Sequence, residues 1–174
     1  MEVSKSEKIK VAGIVDESIV DGPGIRFVVF VQGCKHKCEG CHNSHTQDFS
    51  SGGEYMSVSS LVERIKENPL LDGVTLSGGE PFEQADVVSV LAKRLKELDY
   101  NIITYSGFTY EDIKRKGKEN SSWSDLLENT DILIDGRFEI QKRNLRLNFR
   151  GSENQRIIDV KSTEENKEIT LIEL

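Results

Sequence analysis

The three cysteines of this 174-residue chain, Cys34, Cys38 and Cys41, lie within one stretch of eight residues. Because the chain has no other thiol, we interpret them as a single ligand set. Thiolates select soft or borderline metals, which limits an all-sulfur set to zinc or an iron–sulfur cluster. Ordinary ferredoxin-type ligation uses four cysteines, so three leave one iron of a cube-shaped [4Fe–4S] cluster without a protein ligand. Such an open iron is a coordination site for a substrate.

Two other uses of the thiols compete with this interpretation. A Cys₃His zinc site is the first, since His42 and His45 lie close by and such sets are known in structural zinc sites. Structural zinc sites usually draw their ligands from two separated knuckles, whereas every candidate here sits in one short loop. A disulfide is the second, but an odd number of cysteines does not pair internally and nothing marks the chain as secreted.

The residues around the cysteines predict how they are positioned. The run 25–31 is rich in β-branched and aromatic residues, as is typical of a strand buried on both faces of a parallel sheet. The cysteine loop follows it directly, and the polar, glycine-containing stretch 77–80 follows a second strand over 73–76. In sheets with helical crossovers, ligand sites collect at the carboxyl ends of the strands. We therefore expect the two loops to form one site.

The rest of the chain repeats the order strand, loop, helix, which predicts a parallel α/β sheet with right-handed crossovers. A closed eight-stranded barrel typically needs about 250 residues, so we expect an open partial barrel in a single domain over residues 1–174. Its core spans about 14–160, with a tail over 161–174. The other predicted elements are an edge strand or hairpin arm over 9–15, helices over 58–68, 83–98, 110–116 and 124–128, strands over 101–105, 131–134 and 155–160, an irregular segment over 137–155 and an exposed tail over 164–174.

The overall charge of the chain argues against two classes of binding partner. The chain has 23 Lys and Arg against 30 Asp and Glu, giving a net charge of −7 without a long single-sign run. Nucleic-acid and anionic-membrane binding depend on clustered cations, so neither partner is expected. No apolar stretch approaches the roughly 20 residues of a membrane-spanning helix, and the polar start over residues 1–5 does not resemble a signal peptide. We expect a cytoplasmic protein, which also fits three free thiols.

Several motifs together resemble one enzyme family. They are the Cys-x3-Cys-x2-Cys loop, the stretch Val20–Phe27 before it and the stretch Ser77–Pro81 after it. These resemble the radical S-adenosylmethionine enzymes, and more narrowly their glycyl-radical activating branch. The stretches Asp135–Phe138 and Arg150–Gln155 are similar to late motifs of the branch members that act on anaerobic (class III) ribonucleoside-triphosphate reductase. The likeness runs from about Ile14 to Val160.

The resemblance implies the cofactors and the reaction. Cys34, Cys38 and Cys41 are then the catalytic cysteines, holding a [4Fe–4S] cluster whose open iron binds S-adenosylmethionine. Reductive cleavage gives a 5′-deoxyadenosyl radical, so the chain is expected to be an oxidoreductase of the radical SAM type. The resemblance also implies the same partial (β/α) barrel. The residues expected to contact S-adenosylmethionine are Gly40, Cys41, His42, Gly78, Gly79 and Glu80.

Gly40 bears on the choice of target. Across much of the wider family the residue before the third cysteine is aromatic, whereas the reductase-activating branch resembles this chain in having glycine. The implied partners are the large subunit of the anaerobic reductase, as protein substrate, and a flavodoxin-like electron donor. An activase of another glycyl-radical enzyme, such as pyruvate formate-lyase, is the near alternative. A radical enzyme acting on a small molecule and a non-enzymatic Cys₃His zinc module are the others.

A few polar residues have no single predicted role. Arg26 begins an otherwise apolar strand, so it should have a carboxylate or carbonyl partner if buried. Ser106, Asp135 and Arg137 follow or end later strands and are candidates for the cofactor ribose, the docking surface or plain turns. The resemblance suggests that Arg150 contacts the glycyl loop of the target. The residues Lys35, His36 and Lys37 either tune the cluster, receive an acidic donor or form a solvated loop.

Overall fold

The computed structural model describes residues 7–174 and shows one seven-stranded sheet in the order β3-β1-β2-β4-β5-β6-β7. The strands β2, β4, β5 and β6 are parallel, and β1, β3 and β7 are antiparallel to their neighbours. The sheet is open, because its two outer strands β3 and β7 do not pair within the described residues. The strands are β1 Lys8–Ser18, β2 Arg26–Val31, β3 Glu54–Ser57, β4 Gly73–Gly78, β5 Asn101–Tyr105, β6 Ile132–Asp135 and β7 Arg156–Asp159.

Five helices complete the fold: α1 Val58–Lys66, α2 Ala85–Glu97, α3 Tyr110–Gly117, α4 Ser121–Glu128 and α5 Val160–Asn166. The N-cap of α1 is Ser57, as predicted, and its side chain accepts a hydrogen bond from the Ser60 backbone N–H. A 3-10 turn over Pro81–Gln84 precedes α2. The predicted α/β sheet with an open partial barrel is therefore confirmed. No helix among residues 7–174 combines the length and apolarity needed to cross a membrane.

Neighbouring apolar residues of β5 and β6 belong to two different clusters, one on each face of the sheet. Ile102 and Leu133 belong to the main core between sheet and helices, whereas their neighbours Ile103 and Ile134 belong to a small second cluster. Successive residues of a strand point to opposite faces, so the second cluster lies on the other face of the sheet. In an open barrel this is the concave face, where a ligand has access.

Of the two roles predicted for the first strand, the edge strand is wrong and the arm of an antiparallel pair is right, because β1 lies between β2 and β3 and is antiparallel to both. The edge strand β3 was not predicted, because Glu54–Ser57 has no buried residue to give an apolar alternation.

The segment predicted as an exposed tail, 164–174, is exposed at most of its positions, but it begins within helix α5, which was not predicted. Val160 and Thr163 are buried in α5, whose N-cap Asp159 accepts a hydrogen bond from the Ser162 backbone N–H at 2.7 Å. Beyond the helix, Ile169 packs on the main core, and Ile172 and Leu174 pack on the second cluster. The segment from 161 onward therefore adds to the folded unit.

Candidate cofactor site at the carboxyl edge of the sheet

A cavity of about 550 Å³ opens at the carboxyl ends of the parallel strands. This volume falls within the range of about 300–1,000 Å³ that small-molecule sites occupy. Its lining includes all three cysteines and the loops that follow β4, β5 and β6: Cys34, Cys38, Cys41, His42, Ser77, Gly78, Gly79, Ser106, Gly107, Arg137 and Phe138. The predicted convergence of the cysteine loop and the glycine loop is thus what the structure shows.

The three thiols are free and half-buried. Burial raises the pKa of Cys34 to about 11 and also raises the pKa of Cys38. Neutral thiols do not bind metal, so the bound cation itself must stabilise the thiolates. The site therefore has the donors of a metal centre in a partly desolvated pocket.

Backbone hydrogen bonds join the cysteine loop to the glycine loop. The Gly79 N–H donates to the Val31 carbonyl at 2.7 Å, and the Glu80 N–H donates to the Gly33 carbonyl at 2.9 Å. A Cβ on Gly78 would lie 2.5 Å from the Val31 nitrogen, and one on Gly79 would lie 2.4 Å from the Gly33 oxygen. Side chains at these two positions would push the loops apart. The glycines therefore serve the approach of two backbones as well as exposing backbone to the cavity.

Glu80 occupies a different place from the other predicted contacts. Its side chain is fully buried and does not line the cavity. One carboxylate oxygen accepts hydrogen bonds from the Phe82 N–H and the Ser106 hydroxyl, and the other accepts from His36 Nε2 and the Gly107 N–H. Four protein donors therefore share its two oxygens. A contact between Glu80 and the cofactor amine stays a prediction.

Gly40 lies where the segment after β6 approaches the cysteine loop closely. Its φ is +72°, and a Cβ would lie 2.9 Å from Ile140 Cδ1 and 3.4 Å from Phe138 Cε1. Gly40 does not line the cavity, whereas the exposed His42 does, with its ring 5.3 Å from that of Phe138. The segment after β6 therefore packs against the cysteine loop, and a side chain at position 40 would require both a left-handed backbone and a shift of Ile140.

Sequence reasoning missed the aromatic residues of the cavity wall. Phe138 touches the cysteine loop, and the Tyr105 hydroxyl donates to the Phe149 carbonyl at 2.8 Å across the concave face. Phe138 belongs to the stretch Asp135–Phe138, which the resemblance singled out without assigning Phe138 a role. Tyr105 could have been predicted to line the site, because it is the last residue of β5 and the site lies at the carboxyl ends of the strands.

The side chains of Asp135 and Arg26 do not line the cavity and instead bind other parts of the protein. Asp135 is buried, forms an ion pair with Arg156 and accepts a hydrogen bond from the Tyr110 N–H at 2.7 Å. Arg26 is buried at the amino end of β2 and donates to the Thr75 hydroxyl and to the Val74 and Asn101 carbonyls. Burial lowers the pKa of Arg26 to about 10, so it remains charged at neutral pH. The expected carbonyl partner of Arg26 is confirmed, and both residues hold the scaffold.

Other polar candidates have mixed positions. Ser106 and Arg137 line the cavity, as does Arg150, which also donates through Nη1 to the Gln155 carbonyl at 2.9 Å. Lys35 is exposed and pairs with Glu83 at 3.0 Å. His36, predicted as one of three flanking charges, is instead buried at Glu80.

Within residues 7–174, no three His, Cys, Asp or Glu side chains form a ready-made single-ion site.

The chain is similar to a described family and to named proteins. Residues 20–158 match the family described as "4Fe-4S single cluster domain". The chain is 36% identical to the anaerobic ribonucleoside-triphosphate reductase-activating protein of Enterobacteria phage T4, over 79% of this chain and 86% of that protein. It is 34% identical to the protein of the same name from Vibrio cholerae, over 79% of this chain and 89% of that protein.

More distant similarities follow. The pyruvate formate-lyase-activating enzyme of Clostridium pasteurianum is 32% identical over 72% of this chain and 50% of that enzyme. Among solved structures, QueE from Escherichia coli overlaps 59% of this chain and 54% of its own, with a TM-score of 0.43 and 16% identity.

Proposed function

The chain belongs to the family of anaerobic ribonucleoside-triphosphate reductase-activating proteins, and from that premise we propose that it generates the glycyl radical of such a reductase. The observation that carries the proposal is the meeting of three free thiols and the Gly78-Gly79 backbone in one cavity. The match to a single-cluster 4Fe-4S domain over residues 20–158 supports it.

The residues fit the two cofactors that this function needs. We assign Cys34, Cys38 and Cys41 as the cluster ligands, because they are the only thiols and share one cavity. We assign S-adenosylmethionine to the backbone of Gly78 and Gly79 and to the wall formed by Cys41 and His42. When bound, the cluster supplies the electron for reductive cleavage of S-adenosylmethionine, whose 5′-deoxyadenosyl radical abstracts hydrogen from a glycine of the reductase.

The chain's own residues orient and shield this reaction. The three half-buried thiols would hold the metal centre, and Phe138 and Ile140 pack against the cysteine loop at Gly40. Arg137 offers a cation in the same lining, suited to the carboxylate of the cofactor, whereas the Ser106 hydroxyl is already engaged by Glu80 and by the Phe108 N–H. The open edge of the sheet leaves a path by which a protein segment reaches the cavity.

We infer that the reductase segment enters over an apolar rim. Val20 and Leu145 both line the cavity, yet they are 73% and 82% exposed. Ile19, beside Val20, is 75% exposed. Exposed apolar side chains grouped at a cavity mouth are typical of a surface that a partner covers. A flavodoxin-like electron donor and a cytoplasmic location complete the proposal, since free thiols and a reduced cluster need a reducing compartment.

Replacing Leu145 by aspartate tests the rim. We expect the KM for the reductase to rise about 10-fold or more, because a charge replaces an apolar anchor and one such anchor contributes about 1–3 kcal/mol. Cleavage of S-adenosylmethionine without the reductase should stay within about twofold of wild type. The exposed Leu70, which lies outside the cavity lining, gives the matched control Leu70→Asp. Equal effects of the two substitutions would contradict the rim.

The proposed chemistry has a direct test. The anaerobically reconstituted protein, given a one-electron reductant and S-adenosylmethionine, should release methionine and 5′-deoxyadenosine in equal amounts. Release stimulated by pyruvate formate-lyase but not by the reductase would favour the alternative that the chain activates pyruvate formate-lyase. The similarity to a pyruvate formate-lyase-activating enzyme is the reason to include this substrate in the test. A colourless zinc protein without either product would contradict the proposal.

A further inference from the structure

The side chain of His36 lies inside the protein although it belongs to the loop that carries the thiols. It is 4% exposed, whereas the neighbouring Lys35 is 71% exposed. His36 stands midway between Cys34 and Cys38 in the sequence. A displacement of His36 therefore shifts the short backbone segment that joins two of the three thiols.

The pocket that receives His36 is made by the loops after β4 and β5. His36 Nε2 donates to Glu80 at 2.8 Å, and the ring packs edge-on against Phe108 with centroids 4.4 Å apart. Phe108 in turn packs against Trp123, 5.0 Å away. A Cβ on Gly107 would lie 2.4 Å from His36 Cδ2, so the imidazole fills the space that glycine leaves.

Glu80 ties this pocket together. Its fully buried carboxylate needs several donors to offset desolvation, and it receives four, from Phe82, Ser106, Gly107 and His36. Three of these come from the loops after β4 and β5, and the fourth comes from the cysteine loop. The carboxylate thereby links three loops at the carboxyl edge of the sheet.

We propose that His36 and Glu80 form an anchor that docks the cysteine loop on the sheet and sets the positions of the cluster ligands, so that Glu80 acts on the loop rather than on S-adenosylmethionine. This inference rests on the proposed function, because it takes the cysteines as cluster ligands. His36 is a positioning residue: it acts through Cys34 and Cys38.

The anchor predicts how firmly iron is held. In the reconstituted protein, His36→Ala and Glu80→Gln should each speed the loss of iron to a ferrous chelator about 10- to 100-fold, the range typical of residues that orient metal ligands. In Glu80→Gln the negative charge is lost and one of the two acceptor oxygens becomes an N–H₂ group, so the link to the loop is weakened without a change of shape. His36→Gln, whose Nε2 can still donate to Glu80, should recover most of the stability of the cluster.

Coupling between the two residues separates an anchor from two independent effects. The double variant His36→Ala/Glu80→Gln should lose iron no faster than the more affected single variant, because both substitutions break the same link. The exposed His45, in the same loop region, gives the control His45→Ala, which should match wild type. Affinity for S-adenosylmethionine, normalised to cluster content, should stay within about threefold of wild type in Glu80→Gln.

Hydrogen exchange of the metal-free protein tests the anchor without a cluster. In His36→Ala, backbone amides over 34–42 should exchange faster, while those of β4 and β5 keep their protection. Unchanged exchange over 34–42, or iron loss at the wild-type rate in both single variants, would overturn the anchor. A Glu80→Gln protein that holds iron normally but loses S-adenosylmethionine binding would also overturn it. Failure of the wild-type protein to take up a four-iron cluster would instead count against the proposed function.

Discussion

Replacing Cys38 by serine is expected to abolish both the cluster and the cleavage of S-adenosylmethionine. With three thiols in the whole chain, no other cysteine can substitute for a lost ligand. Removing a residue that only orients a metal ligand typically costs 10- to 100-fold, so loss of a ligand should exceed about 100-fold. Iron and sulfide content together with 5′-deoxyadenosine release measure the effect.

The control for this substitution is Ser44→Ala, an exposed position in the segment that follows the cysteine loop. It should keep the iron content and product release of the wild-type protein. A Cys38→Ser protein that still held four irons and cleaved S-adenosylmethionine at more than a tenth of the wild-type rate would contradict the ligand assignment.

The second large effect is expected at Gly78. Its φ of +96° is unfavourable for any residue with a Cβ, and a Cβ would lie 2.5 Å from the Val31 nitrogen and 2.6 Å from Phe30 Cα. The left-handed backbone costs about 1–2 kcal/mol, and overpacking adds about 1–3 kcal/mol. We expect Gly78→Ala to lower the free energy of unfolding by about 2–5 kcal/mol and to remove S-adenosylmethionine binding, since the β4 end would move away from β2.

Urea unfolding of the metal-free protein measures the stability change, and equilibrium binding to the reconstituted protein measures the cofactor affinity. Gly13→Ala is the matched control, because a Cβ there meets nothing within 4 Å. A Gly78→Ala protein as stable as Gly13→Ala, with normal cofactor binding, would show that the β2 and β4 ends do not need this close approach.

The parallel strands were predictable because burial on both faces leaves a continuous apolar run. β2 is buried along nearly its whole length, and β4 is buried up to Ser77. The carboxyl ends of such strands meet at one edge, which placed the cysteine loop beside Gly78 and Gly79. The edge strand β3 lacked this signal, since all its residues are exposed or half-buried.

The anchor at Glu80 was beyond sequence reasoning for another physical reason. His36 and Glu80 are 44 residues apart in the chain, and no periodicity relates one loop to the other. A histidine between two lysines is typical of a solvated loop, so its burial depends on space left by Gly107 and on the aromatic wall of Phe108. Likewise, the fit of Gly40 depends on Ile140, which only the folded chain brings near.

Electron paramagnetic resonance tests the central proposal most directly. The reconstituted protein is mixed anaerobically with S-adenosylmethionine, a one-electron reductant and the large subunit of the anaerobic ribonucleoside-triphosphate reductase. We predict the doublet of a glycyl radical on the reductase, lost when any component is omitted or when Cys38→Ser replaces the wild-type protein. No doublet in a complete mixture with an intact cluster would contradict the proposed function. Product release without a doublet would contradict the assigned target.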